Sequence, residues 1–452
     1  MLNHRALAAG SVLAVLAAAA PASLPEPDCA DGYCRLQMTA AELLKASEQM
    51  VLAGRYEEAK PLVAALVHAP ELTMERQFLE GYIAAETGDL DDATKKFRQV
   101  LALRPDMTRA RLELARTLMM QGKDKAADYH FSLAQEDDSL PPEIARTIYA
   151  ARGLIRDRRT WDLNVNFGLA PDTNINSATS DRTVDVVFGN ATLPLTLDEN
   201  ARARTGIGQT ASVSGSVRLR LSDGLAMVVD ADGHAINYRG KAADDISSLV
   251  AAGPELTLEN GTRFTLAATV GQRWYGGELA TRSYGGRAGV QHYLGDGARV
   301  AAQVDLRRVE SGFSPAYDGW QMNGYVSVEK VVRRSMVASV TGFARREPLR
   351  SEAYSNTEFG AIAGVGGELP FGLNAGLSGQ VSRARYDAAL PIFGPDARKD
   401  WRLQGRAYLG SRTLRLYGFS PSVSYTYSTT RSNIDLYDFK RHRVEFQLAR
   451  YF

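Results

Sequence analysis

The sequence predicts an α-helical repeat domain followed by an antiparallel transmembrane β-barrel of fourteen strands. Three observations carry this. Glycines return every 34 residues through the first third of the chain, and the side-chain period changes to two after Arg159. Beyond residue 22 no apolar run is long enough for a membrane helix, so any span there must be β.

The chain has 452 residues and a formal net charge of +1, so no global field steers it toward nucleic acid or an acidic partner. Its beginning reads as an export signal over residues 1–22. Arg5 supplies the positive start, Ala6 to Ala20 the apolar stretch, and Ala20-Pro21-Ala22 a small-residue cleavage site before Ser23. No lipobox precedes Cys29, since Pro25-Glu26-Pro27-Asp28 stand there, which argues against a lipid-anchored start. Residues 23–39 form a short segment holding both cysteines, Cys29 and Cys34, which an oxidising compartment is expected to join in a disulfide. A metal site would need two further ligands nearby, and none is evident, so neither a metal nor another cofactor is predicted.

Residues 40–156 are rich in Ala, Leu, Glu, Lys and Arg, the good helix formers. Gly54, Gly88 and Gly122 are 34 residues apart, and each is followed five residues later by an alanine: Ala59, Ala93 and Ala127. Phe97 and Phe131 keep that register, Leu62-Val63 stand in their place in the first unit, and Pro105 closes the second. This is the helix–turn–helix period of tetratricopeptide repeats. Glycine admits the tight turn and alanine the close helix approach, giving units at 40–73, 74–107 and 108–141 and a capping helix near 143–156. Such stacks present surfaces for peptides or proteins. Arg76, Tyr82 and Arg111 fall on first helices, which line the concave face, and are the candidate client contacts; ordinary solvated side chains are the plainer reading.

Residues 161–452 turn to Gly, Val, Thr, Ser, Tyr and Arg, with turn dipeptides at Asp223-Gly224, Asp232-Gly233 and Asn260-Gly261. Val213, Gly215, Val217, Leu219 and Leu221 alternate with Ser214, Ser216, Arg218, Arg220 and Ser222. The same alternation runs through 300–307, 320–329 and 401–410. One face suits lipid and the other carries Arg, Gln and Glu. Aromatics such as Trp274, Trp320, Trp401, Tyr425 and Tyr427 stand near segment ends, where an interfacial girdle belongs. Val444, Phe446 and Leu448 share a face in a last segment ending at Phe452, the pattern of a closing barrel strand. Fourteen segments result, with long joins at 171–206, 276–282, 311–318, 347–355, 387–397 and 429–437 expected mainly on the outer side. An even count leaves both barrel ends, and the repeats, on the periplasmic side. Arg218, Arg220, Arg307, Arg402 and Arg406 are then lumen charges, with Asp305, Glu329 and Glu445 balancing them; solvation of a water-filled interior explains them equally well.

The first barrel segment reads NVNFGLAPDTNINSAT over residues 164–179. Together with the repeats and the segment count, it resembles the surface lipoprotein assembly modulators, the Slam family of type XI secretion translocators. That family carries a Gly-Leu/Val-x-x-Asp-x-Asn-Ile/Val-Asn stretch on entering its barrel, matched here by Gly168, Leu169, Asp172, Asn174, Ile175 and Asn176. The resemblance implies an outer-membrane protein, embedded in lipid, that delivers a client from periplasm to cell surface. It implies a surface lipoprotein or secreted soluble protein as client, often for haem or iron acquisition and with a carboxy-terminal β-barrel domain. Periplasmic chaperones and the barrel-assembly machinery are candidate further partners, and nucleic acid is not one.

The rival readings are an exopolysaccharide export barrel with periplasmic repeats, a diffusion porin and a barrel enzyme. Exporters usually have many more repeats, and a porin leaves the repeats unexplained. The barrel's three histidines, His234, His292 and His442, sit beside no recognisable nucleophile motif, so no catalysis is predicted.

Overall fold

The computed structural model describes residues 28–30, 33–35 and 38–451, apart from 136, 138–139, 159, 190, 295–297, 333–334, 412–413, 415 and 418. The export signal at 1–22 and Phe452 lie outside the described residues. Two short strands, β1 (Asp28–Ala30) and β2 (Tyr33–Arg35), pair antiparallel with Cys29 opposite Cys34. The side chains of both cysteines, and hence the expected disulfide, lie outside the described residues. The chain divides into two compact units, the first ending at Arg158.

The helical unit holds α1 (Ala40–Leu52), α2 (Tyr56–Ala65), α3 (Thr73–Thr87), α4 (Leu90–Leu103), α5 (Thr108–Met120), α6 (Asp124–Ala134) and α7 (Pro142–Arg158). Thr39 opens it with a capping box: Glu42 N–H donates to the Thr39 hydroxyl at 3.3 Å, and Thr39 N–H to the Glu42 carboxylate at 2.8 Å. Each pair of helices turns on its glycine, at φ +73° for Gly54, +94° for Gly88 and +71° for Gly122. The residue after each glycine reaches back five positions to close the turn. Arg55 N–H donates to Met50 O at 2.9 Å, Asp89 to Ala84 at 2.8 Å and Lys123 to Leu118 at 2.9 Å. Ala59, Ala93 and Ala127 are completely buried, so a larger side chain there would push the helices apart. Phe78, Phe97, Leu101, Leu114, Leu118 and Ile148 fill the interior.

The second unit is a closed antiparallel barrel. Its strands are β3 (Trp161–Asp172), β6 (Gly206–Ser222), β7 (Leu225–Asn237), β8 (Asp245–Thr257), β9 (Arg263–Tyr275), β10 (Glu278–Leu294), β11 (Ala298–Ser311), β12 (Gly319–Val332), β13 (Met336–Glu347), β14 (Asn356–Leu369), β15 (Leu373–Ala389), β16 (Ala397–Ser411), β17 (Ser420–Ser432) and β18 (Phe439–Tyr451). Fourteen strands follow one another around the wall, and β18 returns to β3. The hairpin of β4 (Thr183–Phe188) and β5 (Ala191–Thr196) stands in the join after β3 and is not visible as an alternating segment.

Alternation settles which face looks where. Leu219, Leu266, Val304, Phe359 and Leu377 are all exposed on the outside of the closed sheet, Phe359 and Leu377 by 63% each. Side chains of that kind, left uncovered around a closed wall, match hydrocarbon and not water. The opposite parity carries Arg218, Glu255, Arg287, Asp305, Glu358 and Arg402, which reach one another across the inner wall. β10 starts at Glu278, earlier than the join expected over 276–282. Gly276 and Gly277 have φ of +65° and +87°, so two residues suffice for a hairpin turn of the primed type.

Gly88→Ala meets no neighbouring atom within 4 Å, so it isolates the backbone cost of the left-handed turn. The expected loss is about 1–2 kcal/mol, read as a lower midpoint in the thermal loss of helical circular dichroism of the full chain.

Candidate functional site

The stretch matched at 164–179 lies where the barrel closes, between its first and last strands. Asp172 ends β3 with its side chain fully buried. The Arg441 guanidinium of β18 donates to both its oxygens, through Nε at 3.1 and 2.9 Å and Nη2 at 2.5 Å. The Tyr238 hydroxyl donates to the same carboxylate at 3.4 Å. Thr173 continues the join: its N–H donates to His442 O at 3.0 Å, and its hydroxyl accepts from His442 N–H at 2.9 Å.

The rest of the motif holds this corner in shape. The Asn174 amide donates to Ala178 O at 2.8 Å and to Lys440 O of β18 at 3.1 Å, and it accepts from Ala178 N–H at 3.1 Å. Ile175 enters a small apolar cluster with Ile236, Tyr238 and Ala243. Asn176 donates to Arg202 O at 2.8 Å and accepts from Arg204 N–H at 3.2 Å, which ties the returning chain to the start of β6. Gly168 leaves room for a close approach, since a Cβ there would come within 2.5 Å of Phe446 O. Of the predicted motif residues, Asp172 and Asn174 therefore bind the last strand directly, Gly168 lies against it, and Asn176 braces the loop behind them.

The lumen wall carries a second ordered set. Arg287, Asp305, Asn323, Arg345 and Glu358 stand in direct cross-strand register from β10 to β14. Arg287 Nε donates to Asp305 at 2.8 Å, and Arg345 Nε to Asn323 at 3.0 Å. The row continues past Glu358 through the Ser382 hydroxyl at 2.6 Å and Arg402 Nη1 at 2.8 Å. Asp305, Glu358 and Asp400 are almost fully buried, so each needs the cation beside it.

The five predicted lumen arginines are scattered around this wall. Arg402 belongs to the row and also binds Asp400 at 3.1 Å. Arg218 pairs with Glu255 on the far wall, Arg220 with Asp223 at a turn, and Arg406 donates to the Ser424 hydroxyl at 3.3 Å. Arg307 lines an inner cavity of about 670 Å³ whose walls are mostly Ser, Thr, Gly and Gln, and its buried Nε has no partner there. Alternation gave the face of these residues, while the row as a unit depends on register between strands and was not read from the sequence.

In the helical unit the three predicted contacts separate. Tyr82 and Arg111 are interior, 4% and 1% exposed, and Arg111 spends its guanidinium on Pro105 O and His130. Arg76 reaches the surface more, and donates to Glu80 at 2.6 Å, with Lys96 on the other oxygen of that carboxylate. A denser cluster surrounds Arg116, which binds Glu86 at 2.5 Å and Glu113 at 3.0 Å. Burial pushes the Glu113 carboxyl above its usual range despite Arg116, and burial does the same to Glu48 with Glu75 adding to it.

A family model described as surface lipoprotein assembly modifier matches residues 161–452, and a tetratricopeptide repeat model matches residues 84–145. The hemophilin secretion modulator of Acinetobacter baumannii is 21% identical over 83% of this chain and 78% of its own. Surface lipoprotein assembly modifier 1 of Neisseria meningitidis serogroup B is 22% identical over 82% of this chain and 74% of its own. Among solved structures, the outer membrane channel DcaP of Acinetobacter baumannii aligns with a TM-score of 0.41 and 9% identity, over 65% of this chain and 96% of that one.

Asp172→Asn leaves Arg441 without its counter-charge and is expected to cost the barrel about 3–5 kcal/mol. Gel mobility against temperature reads this as earlier unfolding, and Asp223→Asn, whose side chain is 99% exposed, should leave the midpoint in place.

The raised carboxyls make a contribution of definite sign to the pH dependence of the helical unit. Glu48 and Glu113 hold their protons more tightly folded than unfolded, so their stabilisation is complete below the ordinary carboxylate range and is lost as pH rises through the raised values. These two groups should therefore lower the helical melting temperature as pH rises above the ordinary carboxylate range, and Glu113→Gln should flatten that slope. An unchanged slope in the variant would remove Glu113 as its source.

Proposed function

Because the chain belongs to the surface lipoprotein assembly modifier family, we propose that it is an outer-membrane translocator delivering a client protein from the periplasm to the cell surface. The observation that carries this is the barrel: the family model covers it from Trp161, and it closes as fourteen lipid-facing strands. The family and the closed apolar wall place the barrel in the outer membrane with the repeats in the periplasm. The role is transport, with no bond made or broken by the chain.

The client is a surface lipoprotein or a secreted soluble protein; the relatives' names speak of surface lipoprotein assembly and of hemophilin secretion. Its carboxy-terminal β-barrel domain is the part we expect the translocator to handle, with periplasmic chaperones keeping it unfolded and the barrel-assembly machinery inserting the translocator itself. The repeats act as the periplasmic receiver. Their contacts lie at the surface, where Arg76 with Glu80 and Lys96 offers mixed charge, while Tyr82 and Arg111 hold the frame. The paired charges of the lumen wall support the reading, since a neutralised row neither attracts nor repels a passing chain strongly by its net charge.

Deleting the gene should leave particular surface or secreted proteins inside the cell, as quantified by proteomics of shaved cells and medium, with small-solute permeability unchanged. Loss of extracellular polysaccharide with protein export intact would overturn the reading in favour of sugar export.

A further inference from the structure

The wall of this barrel is not uniform, and among the described residues the seam between β3 and β18 has the fewest paired positions. The seam shows seven paired positions, against eleven to fourteen at the other seams whose register is described. Pairing runs from Asn164–Tyr451 to Leu169–Phe446 and resumes at Asp172–Arg443. Between these it lapses. By the same register Pro171 stands opposite Val444, and proline has no N–H to give the Val444 carbonyl.

Beyond the lapse the two strands are held mainly by side chains, with one backbone bond among them. Arg441 grips Asp172, Asn174 reaches Lys440 O, and Thr173 exchanges two bonds with His442. The seam is thus closed by six consecutive backbone pairs toward the barrel termini and, beyond the lapse, by a latch at the other end. β3 is also fastened to its other neighbour by side chains: the Asn164 and Asn166 amides donate to Ser214 and Ser212 of β6 at 3.2 and 3.1 Å. If the seam parts, β3 stays with β6 and its free edge faces the gap.

We propose that this seam is the barrel's gate, released at the Asp172–Arg441 latch, and that the freed edge of β3 takes an extended strand of the client in the place of β18. An open edge in hydrocarbon must be paired again, and only another strand supplies N–H and C=O groups at the right spacing. The inner face of β3 carries Asn164, Asn166, Gly168 and Ala170, small neutral side chains that suit strands of many sequences. The outer face carries Phe167 and Leu169, which ask the incoming strand only to be apolar toward lipid. The partner named here rests on the translocation reading, while the gate can be read without any client.

Hydrogen exchange of the purified full chain in micelles tests the gate alone. β3 amides facing β18 should exchange about tenfold faster than those between β16 and β17; equal protection overturns it. A lock tests the partner. Asn166→Cys with Ala449→Cys joins two residues directly opposite across the seam, and Gln404→Cys with Ser428→Cys does the same between β16 and β17. The probe is the set of surface proteins lost on deleting the gene. Their delivery should stop in cells with the oxidised β3–β18 lock, return on reduction, and continue through the oxidised β16–β17 lock. Delivery through the locked seam, or equal arrest by both locks, overturns the proposal. If deletion loses no surface protein, the translocation reading and this partner fall together, and the exchange result still decides the gate.

Discussion

A strand edge in hydrocarbon has no water to satisfy it, so a sheet that crosses a membrane must return to its own beginning. Everything else in the second unit of this protein follows from that requirement. The first and last strands are drawn together by Asp172 and Arg441, which lie 269 residues apart in the chain and form one buried ion pair. A pair of this kind is costly to desolvate and costly to break. Its value here is in choosing which strands meet, since a β18 that slipped by one residue would turn Arg441 to the lipid and leave Asp172 unmatched.

The row from Arg287 to Arg402 obeys the same logic at the level of the wall. Direct register places a cation beside Asp305 and Glu358, giving each buried carboxylate a counter-charge where little water reaches it. The row therefore reports on pairing: a slipped strand would separate charges that now touch. The wall of β6 to β10 carries its own pairs, Arg218 and Arg263 on Glu255 and Arg273 on Asp245, beside a cavity lined largely by Ser, Thr, Gly and Gln. Small side chains leave space at that cavity, between the long paired ones that line the rest of the described inner wall.

The sequence carried the periodic features well. Gly54, Gly88 and Gly122 have the left-handed backbone their spacing suggested, and the alternation of Val213 to Ser222 matches a strand with one apolar face. What escaped was pairing. A motif such as Asp172-x-Asn174 shows that a corner is specified, yet the partner Arg441 is identified only once the barrel is closed. Tyr82 and Arg111 mislead for a related reason: helical period tells which helix a residue is on, while its depth depends on neighbours one or two repeats away. The hairpin β4–β5 falls in a stretch with Pro194 and few alternating apolar positions, too short and mixed for period alone to find.

The repeats end each first helix on the same three-part device: a glycine, a reaching-back N–H and an alanine five residues on. Because each unit is closed by its own residues, the array can in principle grow or shrink by one 34-residue module without disturbing the modules that remain. Its length is then a separate inheritable variable from the barrel. Adding a unit asks of the coding sequence only an in-frame copy and not a redesign.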